Sequence, residues 1–514
     1  MEKRDNRQFF VNILASILAF IVNAGIQFFV TPILTKNVGD EAYSFITIAN
    51  DFTSFAGIFA SILNSVAARF ISVEFYKKNK DKAEQYYSSI FIGNIIISII
   101  LAILACVFIL SYTHILNVSK ELIPDVTVIF IITFANYILS VLISIFTVST
   151  YVKNRIDIAS SRNIASYIIK LLVIILLFVF MPEVKVYYIA LATFFSTVFL
   201  GISNSYVAKK IMPEIRLNVK SFSPKLIVEL LKTGIWMSIN NLSNVLANNL
   251  TTVIINLYIS ANRAGFYSVA LTIPNCVNTF AYAVYNVFVP TYVRLYAEGK
   301  KDELIQYCKF SMNIMSFLLC VPFIVLCIVS KDFLNLWQSY RSDLEINEMA
   351  IIMSLAVTLV IIYTPLLPLS QLGLTANKVK VQMVNNIFVS FTSLVVVMLG
   401  IKVLNWDLIG IPLATLIVQG FKWIFFTPIY AAWVIGAKKV TFFRSNIKIV
   451  IAESIIFIVM YFMHKLFNIK GWVELIICIG FLSILGYIMM FIIIFPKSQK
   501  KRFINGIKRL GGKL

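Results

Sequence analysis

Long apolar stretches recur from one end of this chain to the other, and they constrain its fold more than any other feature. Fourteen stretches of about 20 residues or more are apolar enough to cross the hydrocarbon core of a bilayer. They lack the alternation of polar and apolar residues that is typical of a membrane β-barrel. Only 13% of the 514 residues are charged, which is about half the share in soluble proteins. The sequence therefore predicts an all-α polytopic membrane protein.

The predicted spans are joined by short connections. Two prolines, Pro365 and Pro368, are expected to kink the tenth span beside Gln371. The predicted spans are residues 8–33, 42–68, 88–112, 123–150, 163–182, 186–207, 233–258, 266–292, 310–330, 347–374, 381–402, 407–434, 447–466 and 472–495.

Lysines and arginines are distributed unevenly among the connections. The N-terminal segment, alternate connections and the C-terminal tail together hold 34 of the 45, and the opposite side holds nine. Because basic residues accumulate on the cytoplasmic side of membrane proteins, both termini are expected in the cytoplasm. This topology also explains the net charge of +21, so no nucleic-acid partner is expected.

Cysteines and histidines give no sign of a metal or cofactor site. The six cysteines are scattered and form no CxxC pair, and His114 and His464 are far apart. We therefore expect no metal and no cofactor. The first span is too long for the apolar core of a signal peptide and is expected to remain uncleaved.

The seventh span carries a stripe of asparagines. On a helix, Asn240, Asn244 and Asn248 fall on one side. An amide that faces lipid without a partner is costly, so this side should face protein or water. Hydrogen bonds between helices and a water-filled cavity are both open interpretations. A similar polar side occurs in the first span, at Asn12, Ser16, Asn23 and Gln27.

Three short matches indicate two related halves. They occur in the same order, at separations of 224, 222 and 221 residues. The matches are Tyr43-Ser44 with Tyr267-Ser268, Asn64 with Asn286, and Lys80-Asp81-x-x-x-Gln85-Tyr86 with Lys301-Asp302-x-x-x-Gln306-Tyr307.

Basic residues inside spans are candidates for substrate binding, since each needs a partner or water. Lys422 is near the middle of the twelfth span, one turn after Gln419, and is interpreted as functional. Lys170 either has such a role or extends to the inner surface. Arg69, at the end of the second span, is either a topology charge or the rim of a cavity.

Two acidic residues also lie within spans and away from the span ends. Asp51 in the second span is interpreted either as part of a structural salt bridge or as a site for a coupling ion. Glu453 in the thirteenth span is expected near the cytoplasmic surface rather than in a functional site.

No motif for nucleotide hydrolysis or catalysis is present, and no loop is long enough for a soluble catalytic domain. Transport is therefore the default function, and no catalytic residue is expected. Buried cations in a wet cavity attract an anion, and rows of amides and hydroxyls suit sugars. A diphosphate joined to an oligosaccharide would satisfy both preferences while its lipid tail stays in the bilayer.

The chain resembles the Wzx-type polysaccharide flippases of the multidrug/oligosaccharidyl-lipid/polysaccharide exporter superfamily. The resemblance covers nearly the whole chain and includes Tyr43, Ala68-Arg69-Phe70 and the basic loop Lys77-Lys78-x-Lys80-Asp81. It implies two six-helix lobes around a central cavity, lined by spans 1, 2, 7 and 8, plus two C-terminal helices. The expected divisions are a lobe at 1–207, a cytoplasmic linker with an amphipathic helix at 208–232, a second lobe at 233–434, and two spans with a basic tail at 435–514.

The resemblance implies a monomer in the bacterial inner membrane that moves undecaprenyl-diphosphate-linked oligosaccharide by alternating access, with H⁺ or Na⁺ as a possible coupling ion. Three alternatives remain: an ion-coupled exporter of the MATE type, a lipid II flippase, and a membrane-embedded enzyme of glycan assembly. Asp51 is the candidate for ion coupling. The candidate substrate-binding residues are Lys422, Lys170, Arg69, Asn23, Gln27, Asn240, Asn244, Asn248 and Gln419.

Overall fold

The computed structural model describes residues 2–376 and 378–495, and all regular structure in these ranges is helical. This confirms the predicted all-α class. The chain divides into two compact units, Met1–Val269 and Ala270–Leu514. The predicted lobe boundaries remain predictions, and the basic tail that was expected along the membrane surface lies outside the described residues.

The first unit contains the helices up to the boundary between the units, and α9 ends at that boundary. They are α1 (Glu2–Tyr76), α2 (Lys80–Ile115), α3 (Ile123–Ile143), α4 (Val148–Val152), α5 (Ile156–Phe180), α6 (Tyr188–Ile211), α7 (Pro224–Asn248), α8 (Leu250–Tyr258) and α9 (Ala261–Ala270). Short 3₁₀ turns occur at Lys120–Leu122, Ser144–Thr147 and Val219–Ser221.

The second unit contains α10 to α22, several of which are interrupted within one predicted span. They are α10 (Thr272–Tyr285), α11 (Val289–Ala297), α12 (Lys301–Met315), α13 (Val321–Ile328), α14 (Ser330–Trp337), α15 (Asp343–Tyr363), α16 (Leu367–Ser370), α17 (Leu372–Thr375), α18 (Lys380–Val403), α19 (Gly410–Phe421), α20 (Thr427–Val434), α21 (Val440–His464) and α22 (Trp472–Ile494). The interruptions include 3₁₀ turns at Asn286–Phe288 and Thr364–Leu366 and π-helical turns at Ser316–Cys320 and Lys422–Phe426.

Eleven helical segments of the described chain are long and apolar enough to cross a membrane. The predicted first and second spans both fall in α1, which is broken at Gly39. The predicted seventh and eighth spans are divided among α7 to α11. The chain is thus a multi-pass membrane protein, and the number fourteen stays a prediction.

Gly39 makes the break in α1 possible. Its φ of 82° and ψ of 165° lie in a region that side chains with a Cβ rarely adopt. The residues on both sides of Gly39 are helical, so one glycine replaces the loop that the sequence predicts at 34–41.

The α7–α8 segment packs against α1 at both ends. Near its start, Leu226 and Leu230 belong to a buried cluster with Ile71 of α1. Near its end, Val253 of α8 belongs to a second buried cluster with Phe45 of α1. The second half of α1 is therefore accompanied by α7 and α8 over much of its length.

Close approach between these helices depends on glycine. A Cβ on Gly234 of α7 would overlap the carbonyl oxygen of Ile62 in α1. Likewise, a Cβ on Gly265 of α9 would overlap the carbonyl oxygen of Asp40. Small residues commonly allow such close backbone packing in membrane proteins, where apolar burial between helices gains little over lipid contact.

Prolines create the interruptions in the second unit. Proline lacks an N–H, so the carbonyl four residues earlier loses its helical donor. Pro365 frees the carbonyl of Ile361, and the thiol of Cys320 donates to it across 3.7 Å. The predicted kink in the tenth span is confirmed, since a 3₁₀ turn at Thr364–Leu366 follows α15.

Two other prolines follow the π-helical turns, and side chains of the last two helices contact the freed carbonyls. Pro322 frees the carbonyl of Leu318, which accepts a hydrogen bond from the Tyr487 hydroxyl of α22 at 3.2 Å. Pro428 frees the carbonyl of Ile424, and Asn446 Nδ2 of α21 lies 3.5 Å from that oxygen. Helices α21 and α22 are thus held against the rest of the second unit through the carbonyls freed at its two π-helical turns.

The position of Glu453 corrects the sequence interpretation. The residue was expected near the cytoplasmic surface, yet it lies in the middle of α21 and is only 6% exposed. Its carboxylate accepts a hydrogen bond from Ser316 Oγ at 2.7 Å. Hydropathy alone did not reveal that this side of α21 faces α12 and α13 rather than lipid or water.

Replacing Gly234 by alanine should destabilise the protein, because the added methyl group overlaps a backbone oxygen that cannot rotate away. Overpacking of this kind costs about 1–3 kcal/mol. The matched control is Gly480→Ala in α22, where a Cβ meets nothing within 4 Å. Thermal unfolding of the purified variants measures the difference. A Gly234→Ala protein as stable as the Gly480→Ala protein would contradict the close packing.

Candidate functional site

The asparagine stripe lies on α7, whose backbone the structure describes. The side chains of Asn240, Asn244 and Asn248 lie outside the described part, as do those of Asn12 and Ser16 on α1. Whether these amides face water or neighbouring helices therefore stays a prediction.

Four other predicted site residues are distributed over two helices of the first unit. On α1, Asn23 is half-buried, while Gln27 and Arg69 are exposed. Lys170 is half-buried on α5. Among the described residues, no hydrogen bond or ion pair connects any of these four to another predicted site residue. Both interpretations of Arg69 and Lys170 thus stay open.

Asp51 of α1 is buried beside the break between α7 and α8. Its Oδ1 accepts a hydrogen bond of 2.7 Å from Asn249 Nδ2, and Asn249 is the residue that separates the two helices. Its Oδ2 is also buried and has no hydrogen-bond partner within the described residues. Asp51 forms no salt bridge in this part of the chain, so the structural ion pair that the sequence allowed is not observed there.

Polar contacts continue along α1. Ser61 Oγ lies 2.9 Å from Ser238 Oγ of α7. One turn further, Asn64 and the fully buried Asn94 of α2 exchange two amide hydrogen bonds, of 2.8 and 3.1 Å. Ser144 lies 3.1 Å from both amides, at the start of the 3₁₀ turn that interrupts the fourth predicted span. These polar groups satisfy one another, as amides inside a membrane protein must.

Three hydrogen bonds between Asn117 and Asn256 fasten α8 to the connection after α2. The backbone N–H of Asn117 donates to Asn256 Oδ1 at 3.0 Å, and Asn117 Nδ2 donates to the Asn256 carbonyl at 2.7 Å. In return, Asn256 Nδ2 lies 3.2 Å from the Asn117 carbonyl. Next to this pair, Glu41 of α1 accepts from the N–H and hydroxyl of Ser119. We call Asn117 and Asn256 the asparagine latch.

The second unit contains an aromatic cluster of Tyr282, Tyr285, Tyr363 and Trp423. The ring centroid of Tyr363 lies 5.3 Å from that of Trp423 and 6.4 Å from that of Tyr282. Tyr282 and Tyr285 are 5.6 Å apart in an edge-to-face arrangement. Tyr282 is 40% exposed and is the open member of the cluster, whereas the other three are buried.

Amides hold the tyrosine hydroxyls of this cluster. The Tyr363 hydroxyl donates to Asn278 Oδ1 at 2.6 Å, and Gln371 Nε2 donates to the Tyr285 hydroxyl at 2.9 Å. Gln371 lies just beyond the proline kink of the tenth predicted span, which turns its side chain toward α10. These bonds fix the rings of the cluster in place.

Lys422 lies at the edge of the aromatic cluster. Its ammonium group lies over the Trp423 ring, 4.3 Å from the centroid. Lys422 begins the π-helical turn, a feature that is frequent at functional sites. Gln419 precedes it by one turn of α19 and is half-buried. A half-buried cation beside fixed aromatic rings and amides can bind an anion and a sugar ring together.

Sequence reasoning missed most partners in these contacts. Asn94 and Asn256 stand singly in apolar stretches, which was a usable signal, because a lone buried amide must have a partner. The aromatic cluster gave no comparable signal. Its members come from three spans, and among many aromatic residues the sequence does not indicate which rings meet.

Comparison with known proteins identifies the family of the chain. Residues 9–296 match the family described as "Polysaccharide biosynthesis protein". The uncharacterized membrane protein EpsK of Bacillus subtilis (strain 168) is 24% identical over 506 residues, which cover 98% of this chain and 99% of EpsK.

Two solved structures show a similar fold. An inward-facing MATE-family multidrug resistance transporter of the MOP superfamily superposes with a TM-score of 0.69 and 12% identity, covering 81% of this chain and 94% of its own. The lipid II flippase MurJ, in an inward closed conformation, gives a TM-score of 0.66 and 15% identity, covering 94% of this chain and 98% of its own. The family match extends over more than half of the chain, and the chain therefore belongs to the polysaccharide biosynthesis protein family.

Proposed function

We propose that this protein is a flippase for a lipid-linked oligosaccharide. Its substrate is an oligosaccharide joined through a diphosphate to undecaprenol, and the protein moves the polar head across the cytoplasmic membrane by alternating access. Both termini face the cytoplasm, and a monomer is sufficient. Family membership, together with a fold that resembles a lipid II flippase, supports a substrate that joins a glycan to a lipid. Lipid II is itself a molecule of this class and remains an alternative substrate.

The aromatic cluster with Lys422 is the observation that carries this proposal. Sugar rings present apolar C–H faces that stack on aromatic side chains, and their hydroxyls bond to amides. Tyr282 offers a ring at the open side of the cluster, while Asn278 and Gln371 supply amides nearby. An exporter of apolar drugs has no need for this combination of rings and amides.

Lys422 supplies the charge that a diphosphate requires. Its position over Trp423 keeps the ammonium group at the cluster instead of at the membrane surface. Lysine binds phosphate as a compact point charge. Lys170 and Arg69 remain candidates for further phosphate contacts, and Asn23, Gln27, Gln419, Asn240, Asn244 and Asn248 for contacts with sugar hydroxyls.

Lys422→Ala and Tyr282→Ala should each lower export of the surface polysaccharide at least tenfold, because they remove the phosphate partner and the open stacking ring. Tenfold corresponds to about 1.4 kcal/mol of lost binding free energy. Lys422→Arg keeps the charge and should lose less than Lys422→Ala. Export is measured in a strain that lacks the chromosomal gene and carries each variant.

Two exposed positions provide the matched controls. Lys470 lies in the connection before α22, and Tyr461 is 44% exposed on α21, so alanine at either should leave export unchanged. Equal amounts of protein in the membrane must be verified for each variant. Normal export by both Lys422→Ala and Tyr282→Ala would remove the aromatic cluster from the proposed site.

The asparagine latch should open during each transport cycle if access alternates. We expect that a short bis-thiol reagent joining Asn117→Cys to Asn256→Cys stops export, and that a cleavable reagent allows recovery after reduction. The exposed Cys106 is replaced first, since it would react with the reagent. Single-cysteine variants treated in the same way are the control. Full export by the crosslinked protein would exclude movement of α8 away from Asn117.

Ion-coupled export of small molecules is the second candidate function, and Asp51 favours it. Its carboxylate is buried with one oxygen unbonded within the described residues, and the fold resembles a MATE transporter. This function predicts that Asp51→Asn abolishes resistance to cationic drugs in cells that overproduce the protein. Cells in which the wild-type protein confers no resistance to any such drug would rule the function out.

A further inference from the structure

A second buried carboxylate, Glu453, lies outside the proposed substrate site. It follows the first residue of α21 by 13 positions and precedes the last by 11. At 1.5 Å per residue, each end of the helix is roughly 16–20 Å away. Since the side chain is also buried, it cannot extend to either membrane surface. Glu453 thus stands near the middle of a membrane-spanning helix.

The carboxyl group contacts the π-helical turn Ser316–Cys320. Ser316 Oγ donates a hydrogen bond of 2.7 Å to Glu453 Oε1. The Cys320 thiol also contacts the carboxyl group, but the Ile361 carbonyl competes for its single hydrogen. One hydroxyl and a shared weak donor leave most of the acceptor sites of a carboxylate unsatisfied.

No cation balances this carboxyl group in the part of the chain that the structure describes. The neighbouring elements present titratable groups that are engaged elsewhere or carry no positive charge. Lys422 of the second π-helical turn lies over Trp423, and Lys448 of α21 donates to the Ile494 carbonyl.

The tyrosines near the carboxyl group have other partners. Tyr430 of α20 donates to the Lys378 carbonyl, and Tyr487 of α22 donates to the Leu318 carbonyl. Lys301 of α12 donates to the Gly436 carbonyl, and His464 of α21 pairs with Asp332. None of the other titratable groups on the packed helices forms an ion pair with Glu453 among the described residues; these groups are Asp302, Glu303, Tyr307, Cys308 and Lys309 of α12, Cys327 of α13, Arg444 and Tyr461 of α21, and Glu474 and Cys478 of α22.

An ionised acid at such a position is costly, because neither water nor a cation compensates its charge. The protonated acid avoids this cost and still accepts the Ser316 hydrogen bond. Moreover, its contact is with an irregular turn rather than with a regular helix. A π-helical turn has an alternative, regular α-helical arrangement, which would displace Ser316 relative to α21.

We propose that Glu453 is a proton-binding site of the transport cycle. In the conformation seen here the carboxyl group is neutral and bonded to Ser316. When the turn Ser316–Cys320 and α21 move apart, water reaches the carboxyl group and accepts its proton. A proton from water on the other side of the membrane restores the neutral acid. This inference rests on the proposed function only in that it requires a transport cycle; proton binding itself does not depend on the substrate.

Infrared difference spectroscopy of the purified full-length protein in lipid nanodiscs tests the protonation state. The wild type should show the C=O stretch of a protonated carboxylic acid at neutral pH, and Glu453→Gln should lack it. Glu474→Gln removes an exposed carboxylate at the start of α22 and should retain the band. Ser316→Ala keeps the acid but removes its donor, so the band should move to higher frequency. Absence of the band from the wild type would overturn the proposal.

A measurement of polysaccharide export distinguishes a carboxyl group that binds and releases a proton during transport from one that is always protonated. Glutamine imitates the neutral acid but cannot release a proton. We expect Glu453→Gln to insert and unfold like the wild type while exporting at least tenfold less polysaccharide, with Glu474→Gln unchanged. Wild-type export by Glu453→Gln would overturn a role in the cycle. If the wild-type gene itself fails to restore export in the deletion strain, the proposed function fails, and the infrared result alone decides whether Glu453 binds a proton.

Discussion

Every polar backbone group inside a membrane must find a partner in the protein, and the second unit of this structure depends on how that requirement is met. Proline removes a donor from a helix, and Pro322, Pro365 and Pro428 each free one carbonyl. The three freed oxygens face Tyr487, Cys320 and Asn446, which belong to other segments. Each irregular turn therefore fixes a neighbouring helix in position. The same turns present Lys422, to which we assign substrate binding, and Ser316, which donates a hydrogen bond to the proposed proton site Glu453.

In the first unit, asparagine and glycine residues fix neighbouring helices in position. Gly234 brings α7 close enough to α1 for hydroxyls and amides to meet along the contact. Asn249 separates α7 from α8 and reaches Asp51, while the asparagine latch fixes the far end of α8. Contacts made of amide hydrogen bonds exchange partners more readily than a closely packed apolar core. This property suits the movement of α8 that we propose for the transport cycle.

The sequence was sufficient to predict the all-α class and the kink at Pro365, because apolar length and proline chemistry act locally. It was not sufficient to assign Glu453, whose burial depends on which side of α21 meets α12 and α13. It also did not predict that Gly39 alone breaks α1, since a loop and a single-glycine break look alike in composition. The pairing of Tyr363 with Trp423 is a tertiary contact between spans about 60 residues apart, and helical periodicity relates only neighbours along one helix.

As a flippase, the protein would move a diphosphate-linked oligosaccharide between the leaflets of the membrane. The most direct measurement is to delete the gene, extract the lipid-linked glycans and determine which leaflet holds them. For a flippase, we expect undecaprenyl-diphosphate-linked oligosaccharide to accumulate in the inner leaflet while surface polysaccharide is lost, and the accumulated glycan would identify the substrate. Unchanged lipid-linked glycans, together with increased sensitivity to cationic drugs, would contradict the proposed flippase function and favour ion-coupled export through Asp51.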